Sequence, residues 1–179
     1  GGLAAAWSIL VGVILGMVAA AKQHTWIDQL VTAYAVVIAT VPSFVLGFAW
    51  AYVFAVKLRW FPSGGWGTPK HLVLPVLAYG LPVTGSVARW TRQCMLEAIS
   101  ADYVRTAYAK GLRDTRVMSK HVLRNALIPM VTSFVPIAPS MMVGSMFIET
   151  VFGLPGLSKI FTSASANRDY PLVLAVTMF

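Results

Sequence analysis

Four long stretches of this chain carry no charged side chain, and they limit its fold more than any other feature. They cover residues 1–21, 29–56, 72–88 and 125–148, and Glu149 closes the last. A helix needs roughly 20 mostly apolar residues to cross a bilayer. A fifth apolar run, 171–179, is too short to span on its own. Charged residues make up 11% of the chain, against about 25% in soluble domains. A buried soluble core is the competing explanation, but four such runs would leave too little polar surface to face water. The pattern predicts an all-α polytopic transmembrane helix bundle with about five spans, near 3–21, 29–56, 72–90, 126–149 and from 171.

The sequence opens without Met inside one apolar run and closes inside another. The expectation is a piece with a helix before it and the rest of a helix after it. No positively charged n-region precedes the first run, so it does not read as a signal peptide.

Charge sets the orientation. The segments after the first and third runs share one side and hold Lys22, Arg89, Arg92, Arg105, Lys110, Arg113, Arg116, Lys120 and Arg124. The other side holds Lys57, Arg59, Lys70, Lys159 and Arg168. Positive charge stays cytoplasmic, which puts the richer set in the cytoplasm. Trp26, Trp60, Trp66 and Trp90 fall near span ends, where an amphipathic ring suits the headgroup zone. The net charge of +8 then reads as membrane orientation and attraction to anionic lipid rather than nucleic-acid binding, because the basic residues form no separate domain.

Several chemistries find no support. Cys94 is the one cysteine, so no internal disulfide forms. His24, His71 and His121 lie on different segments without metal-ligand spacing. No ionisable residue falls in the middle of a run, which argues against an ion-coupled carrier. No GxxxxGK[ST] motif is present to cradle a nucleotide. No catalytic, metal or cofactor site is expected, and uphill transport would draw its energy from another chain.

Pro42, Pro75, Pro82, Pro129, Pro136 and Pro139 lie in or at the ends of the runs, where each removes a backbone donor. In "SFVPIAPSMMVG" they suggest a bent helix with small and Met side chains. A helix beside a translocation path and ordinary kinked packing both fit. Ser43, Ser140 and Met141 are the candidate path residues, chosen because small or flexible side chains suit a promiscuous path. Gly12 and Gly16 form a GxxxG spacing that permits close helix approach.

The segment "DYVRTAYAKGLRDTRVMSKHVLRNALIP", residues 102–129, holds six of the fourteen Lys and Arg residues between two apolar runs. The connection it belongs to, 95–124, is long for one with no task. It reads as two short helices. Asp102 is placed to cap the first and Gly111 to stop it in the left-handed conformation. Asp114 is placed to cap the second, where Val117, Met118, His121 and Val122 mark a buried face. Tyr103, Arg105, Thr106, Ala107, Tyr108, Lys110, Gly111 and Leu112 give aromatic, cationic and small contact points. Insertion into a groove on a soluble partner and an interfacial helix on headgroups both fit these residues.

This segment resembles the cytoplasmic signature of binding-protein-dependent ABC transporter permeases, in the dipeptide/oligopeptide (and nickel) branch. The general signature is EAA, three residues, Gly, nine residues, then I-x-L-P. Arg105, Thr106 and Ala107 fall at EAA, Gly111 at the Gly, and His121, Val122, Leu123 and Arg124 at I-x-L-P. The departures are large for the general form, while "DYVRTAYAKGL" and "HVLRNALIP" are similar to the peptide branch's own version. "SVARWTRQCMLEAISADYVRTA", "FIETVFGLPGLSKIFTSASANRDYPLV" and "WFPSGGWG" resemble further parts of that branch, so the likeness covers essentially the whole chain. The resemblance implies one permease domain of the type I importer kind over residues 1–179, truncated at both ends, with a coupling segment at 95–125. It further implies an extra N-terminal helix and external domain upstream of residue 1. The implied partners are a second permease subunit, two ABC ATPase subunits that bind the ATP, and an extracytoplasmic solute-binding protein. The implied location is a bacterial or archaeal plasma membrane, and the implied cargo is di- or oligopeptide. Residues 103–111 become the coupling helix that meets the ATPase.

The loop "TVFGLPGLSKIFTSASANRDYP" is expected outside, with Arg168 and Asp169 as polar handles. Contact with the binding protein and packing on the membrane surface both fit. A non-transporting membrane scaffold that recruits a cytoplasmic partner is the alternative function.

Overall fold

A computed structural model describes residues 1–142 and 146–178. Every regular element among them is helical. In chain order these are α1 (Gly2–Ala21), α2 (Trp26–Thr40), α3 (Ser43–Trp50), α4 (Lys70–Ile99), α5 (Asp102–Ala109), α6 (Asp114–Arg116), α7 (Leu123–Phe134), α8 (Ile137–Met142), α9 (Met146–Val151), α10 (Leu157–Ala166) and α11 (Tyr170–Met178). Wider π-helical turns follow α3 at Ala51–Lys57 and α6 at Val117–Val122.

By length and composition, α1 and α4 can each cross a membrane. Two broken helix pairs bring the number to four if each counts as one span. The second expected span is thus two helices, broken where Pro42 withholds a backbone donor. The fourth divides too: α7 stops at Phe134 and α8 begins after Pro136. The Val143 and Gly144 end of the proline-rich motif lies outside the described residues. The third span runs longer than expected. At 1.5 Å per residue, the 30 residues of α4 reach roughly 45 Å, past a hydrocarbon core of about 30 Å. Met95, Leu96, Glu97 and Ala98 are good helix formers, so the helix continues through what the sequence suggested was the start of a connection.

The chain divides into two compact units. One comprises Gly1–Trp7, Val41–Pro82 and Ala138–Phe179, and the other Ser8–Thr40 and Val83–Ile137. The core of the second gathers Ala20, Val87, Met95, Val104, Ala107, Val117, Val122, Ala126, Met130 and Phe134. The GxxxG pair of α1 contributes there. A methyl at Gly12 would lie 2.7 Å from Val87 Cβ, and one at Gly16 2.5 Å from the Ala88 carbonyl oxygen. Side chains at these positions would push α1 away from α4. The core of the first unit is smaller, with Leu74, Ala78, Ile148 and Phe152 at its centre.

Candidate functional site

The basic segment sits in the second unit, and its sequence explains its shape. α5 starts at Asp102 and carries two buried residues, Val104 and Ala107, three positions apart on one face. Its end is a paired turn: the Gly111 N–H donates to the Tyr108 carbonyl at 2.9 Å and the Leu112 N–H to the Ala107 carbonyl at 3.4 Å. Gly111 has φ +75°, which favours glycine. No atom stands within 4 Å of where its Cβ would be, so backbone conformation alone explains the glycine. Leu112 then folds back, half-buried, against the core.

The return half uses the wide turn at Val117–Val122. Val117 and Val122 are both fully buried, although they are five positions apart. Five residues overshoot one α-helical turn but suit a π-helical one. From Val122 the buried positions continue at Ala126, Met130 and Phe134, four apart as in an ordinary helix. The expected buried face at Val117, Met118, His121 and Val122 is therefore present, with Met118 and His121 half-buried.

Two expectations about this segment are corrected. Neither Asp102 nor Asp114 caps its helix: each occupies the first helical position, after Ala101 and Arg113, and no side-chain cap bond forms. Asp114 instead accepts a hydrogen bond from the Tyr108 hydroxyl at 2.5 Å, which closes the turn between the two helices. That carboxylate beside the phenol holds the Tyr108 pKa above its usual value, with burial a smaller contributor. The second correction concerns Ala107, proposed from sequence as a close-contact point for a partner. It is 4% exposed and packs within its own chain. The face left open carries Tyr103, Arg105, Thr106, Tyr108, Lys110 and Gly111. Arg105 approaches Asp102 only at 4.0 Å, with both side chains in solvent, so its guanidinium stays available.

The first unit holds the other sequence-flagged region. "WFPSGGWG" and "TVFGLPG" meet there: the Gly65 N–H donates to the Phe152 carbonyl at 2.8 Å. A methyl at Gly64 would stand 2.7 Å from that same oxygen. Glu149 accepts the Ser158 N–H at 2.9 Å, so its carboxylate sits at the positive end of α10. Arg168, with φ +56°, closes α10 through bonds from its own N–H to Ser165 and from the Asp169 N–H to Ala164. Asp169 then caps α11 by accepting the Leu172 N–H at 3.2 Å. Both residues offered as partner contacts thus have local structural duties, although both side chains are exposed.

The candidate path residues are not assembled into one cavity. Ser43 is half-buried at the start of α3, Ser140 is exposed on α8, and Met141 is 3% exposed. An apolar cavity of about 580 Å³ lies in the same unit, lined by Phe44, Phe48, Phe147, Phe161 and others, and none of the three reaches it.

One feature escaped the sequence reading. Asp28, 4% exposed at the start of α2, receives two bonds from the Arg92 guanidinium on α4, at 2.5 and 2.7 Å. The two residues stand 64 positions apart near the edges of apolar runs, and nothing local in the sequence pairs them. Among the described residues, no group of three or more His, Cys, Asp or Glu could hold a metal.

Residues 12–179 match the family described as binding-protein-dependent transport system inner membrane component. The chain belongs to this family. It is 40% identical over 173 residues to the oligopeptide transport system permease protein OppB of Salmonella typhimurium, covering 96% of this chain and 56% of that protein. It is 37% identical over 172 residues to the dipeptide transport system permease protein DppB of Bacillus subtilis, with the same coverage of each. OppB of Haemophilus influenzae is 38% identical over 180 residues, 99% of this chain and 59% of that one. The chain thus spans a little over half the length of these relatives.

Proposed function

We propose that this chain is the membrane-spanning core of a permease subunit in an ATP-driven importer of di- or oligopeptides. Its α5 would dock on an ATPase from the cytoplasm. The observation that carries the reading is the division of α5 into two faces. Val104 and Ala107 anchor it, while Tyr103, Arg105, Thr106, Tyr108, Lys110 and Gly111 present an aromatic and cationic surface. A helix lying on headgroups would turn an apolar face towards lipid. The aliphatic anchors of α5, Val104 and Ala107, are used inside the chain, which supports the docking reading.

The remaining parts follow from the same reading. Two permease subunits would form the path, two ATPases would bind the ATP, and an external binding protein would deliver the peptide. The relatives' names supply the peptide as cargo. An exposed guanidinium at Arg105, where the general signature has Glu, calls for carboxylate or carbonyl acceptors on the ATPase. The test is peptide uptake by proteoliposomes holding the full-length permease with its partners. Uptake should require ATP, and Arg105→Glu with Lys110→Glu should abolish ATPase copurification while the permease stays in the membrane. Unchanged copurification would remove the docking role of α5. Copurification without uptake in the native complex would favour a scaffold.

A further inference from the structure

α2 is attached to the second unit unlike its neighbours. The cluster that holds α5 draws on Ala20 of α1, Val87 and Met95 of α4, and Ala126, Met130 and Phe134 of α7, but on no residue of α2. The fully buried residues of α2 are Asp28 and Ala35. Both meet α4. Asp28 takes the two Arg92 bonds, and a methyl at Gly85 would stand 2.6 Å from the Ala35 carbonyl oxygen. The contacts are seven residues apart on each helix and run in opposite chain order. Antiparallel faces therefore pair over two turns. Leu30, Val36 and Val37, on the rest of α2, are exposed.

Arg92 stands one turn before Met95, and Met95 packs in one cluster with Val104 and Ala107 of α5. Apolar packing thus joins α5 to the end of α4, and a two-pronged ion pair joins α4 to α2. Such a pair, with a buried carboxylate and a guanidinium 28% exposed, contributes little net stability, since desolvation and solvent screening offset the attraction, but it is strict about geometry. The Asp28 carboxylate is fixed further by the His24 N–H at 3.2 Å and the Thr32 hydroxyl at 3.4 Å. We propose that Asp28 and Arg92 are a positioning pair that makes α2 follow α4 when α5 is moved, so that ATPase motion becomes movement of the path. This deepens the importer reading and rests on it.

The experiment uses the complete complex in proteoliposomes and measures peptide taken up per ATP hydrolysed. Asp28→Asn should leave assembly and ATP turnover within about twofold, while uptake per ATP falls about tenfold, a usual size for a coupling free energy. Arg92→Lys keeps the charge but loses the fork, and should fall by about threefold. In a Cys94→Ser background, Asp28→Cys with Arg92→Cys should uncouple, and a short bis-maleimide bridge between the two should restore coupling. Three results overturn the proposal. The ratio could stay unchanged in Asp28→Asn, uptake and ATP turnover could fall together with lost assembly, or the bridge could fail to restore uptake. A native complex that hydrolyses ATP without uptake overturns the importer reading and this inference with it, and is seen in the native arm alone.

Discussion

The basic segment after α4 and the turn after α9 both pair a short helix with glycines, yet they use their charged groups differently. The basic segment is fastened by side chains. Val104, Ala107, Val117 and Val122 are buried, and the polar residues of α5 are left facing out. The turn also buries Phe152, and adds backbone bonds and its own polar groups. Gly65 bonds to Phe152, Glu149 engages the start of α10, and Asp169 caps α11. A segment whose apolar residues do the holding keeps its charges for a partner. One whose charges share in the holding has fewer to offer. That difference favours α5 over Arg168 and Asp169 as a docking surface.

The largest test of this contrast is Ala107→Glu. An unpaired carboxylate in the apolar cluster should cost about 3–5 kcal/mol, so the variant should lose folded yield and melting temperature as well as ATPase binding. Normal melting with lost binding would return Ala107 to the partner surface. Gly64→Val is next. Its Cβ would meet the Phe152 carbonyl oxygen, and relief requires backbone movement costing about 1–3 kcal/mol, read as a lower melting temperature. Arg105→Glu should leave melting within about 0.5 kcal/mol. It should still weaken ATPase capture about tenfold, or 1.4 kcal/mol. Asp169→Ala should cost about 1 kcal/mol through the lost cap, with ATPase capture unchanged.

The smallest effect is a titration. The pKa of Tyr108 is raised in the folded chain, so its bond to Asp114 stabilises the turn fully below the ordinary tyrosine pKa. That contribution is lost as pH rises through the higher folded value. Absorbance titration should show a late tyrosinate that Tyr108→Phe removes and Asp114→Asn shifts back towards 10.

Much of the basic segment was legible because its signals are local. Gly111 announces a left-handed turn, and the Val117 to Val122 pattern announces a buried face. The direction of Ala107 was not legible, because small residues suit a protein interior and a partner's groove equally. Asp102 and Asp114 misled for a related reason. A carboxylate just before a helix suits several positions, and Tyr108 decided where Asp114 turned.

The apolar runs by themselves determined that this chain is helical and membrane-spanning, since uncharged stretches of that length have few other stable fates. The motif residues determined its family. Only tertiary structure decided that Arg92 reaches Asp28, that Gly64 lies against Phe152, and which face of α5 stays open. These depend on residues far apart in sequence, and the spacing along one helix carries no record of what stands opposite.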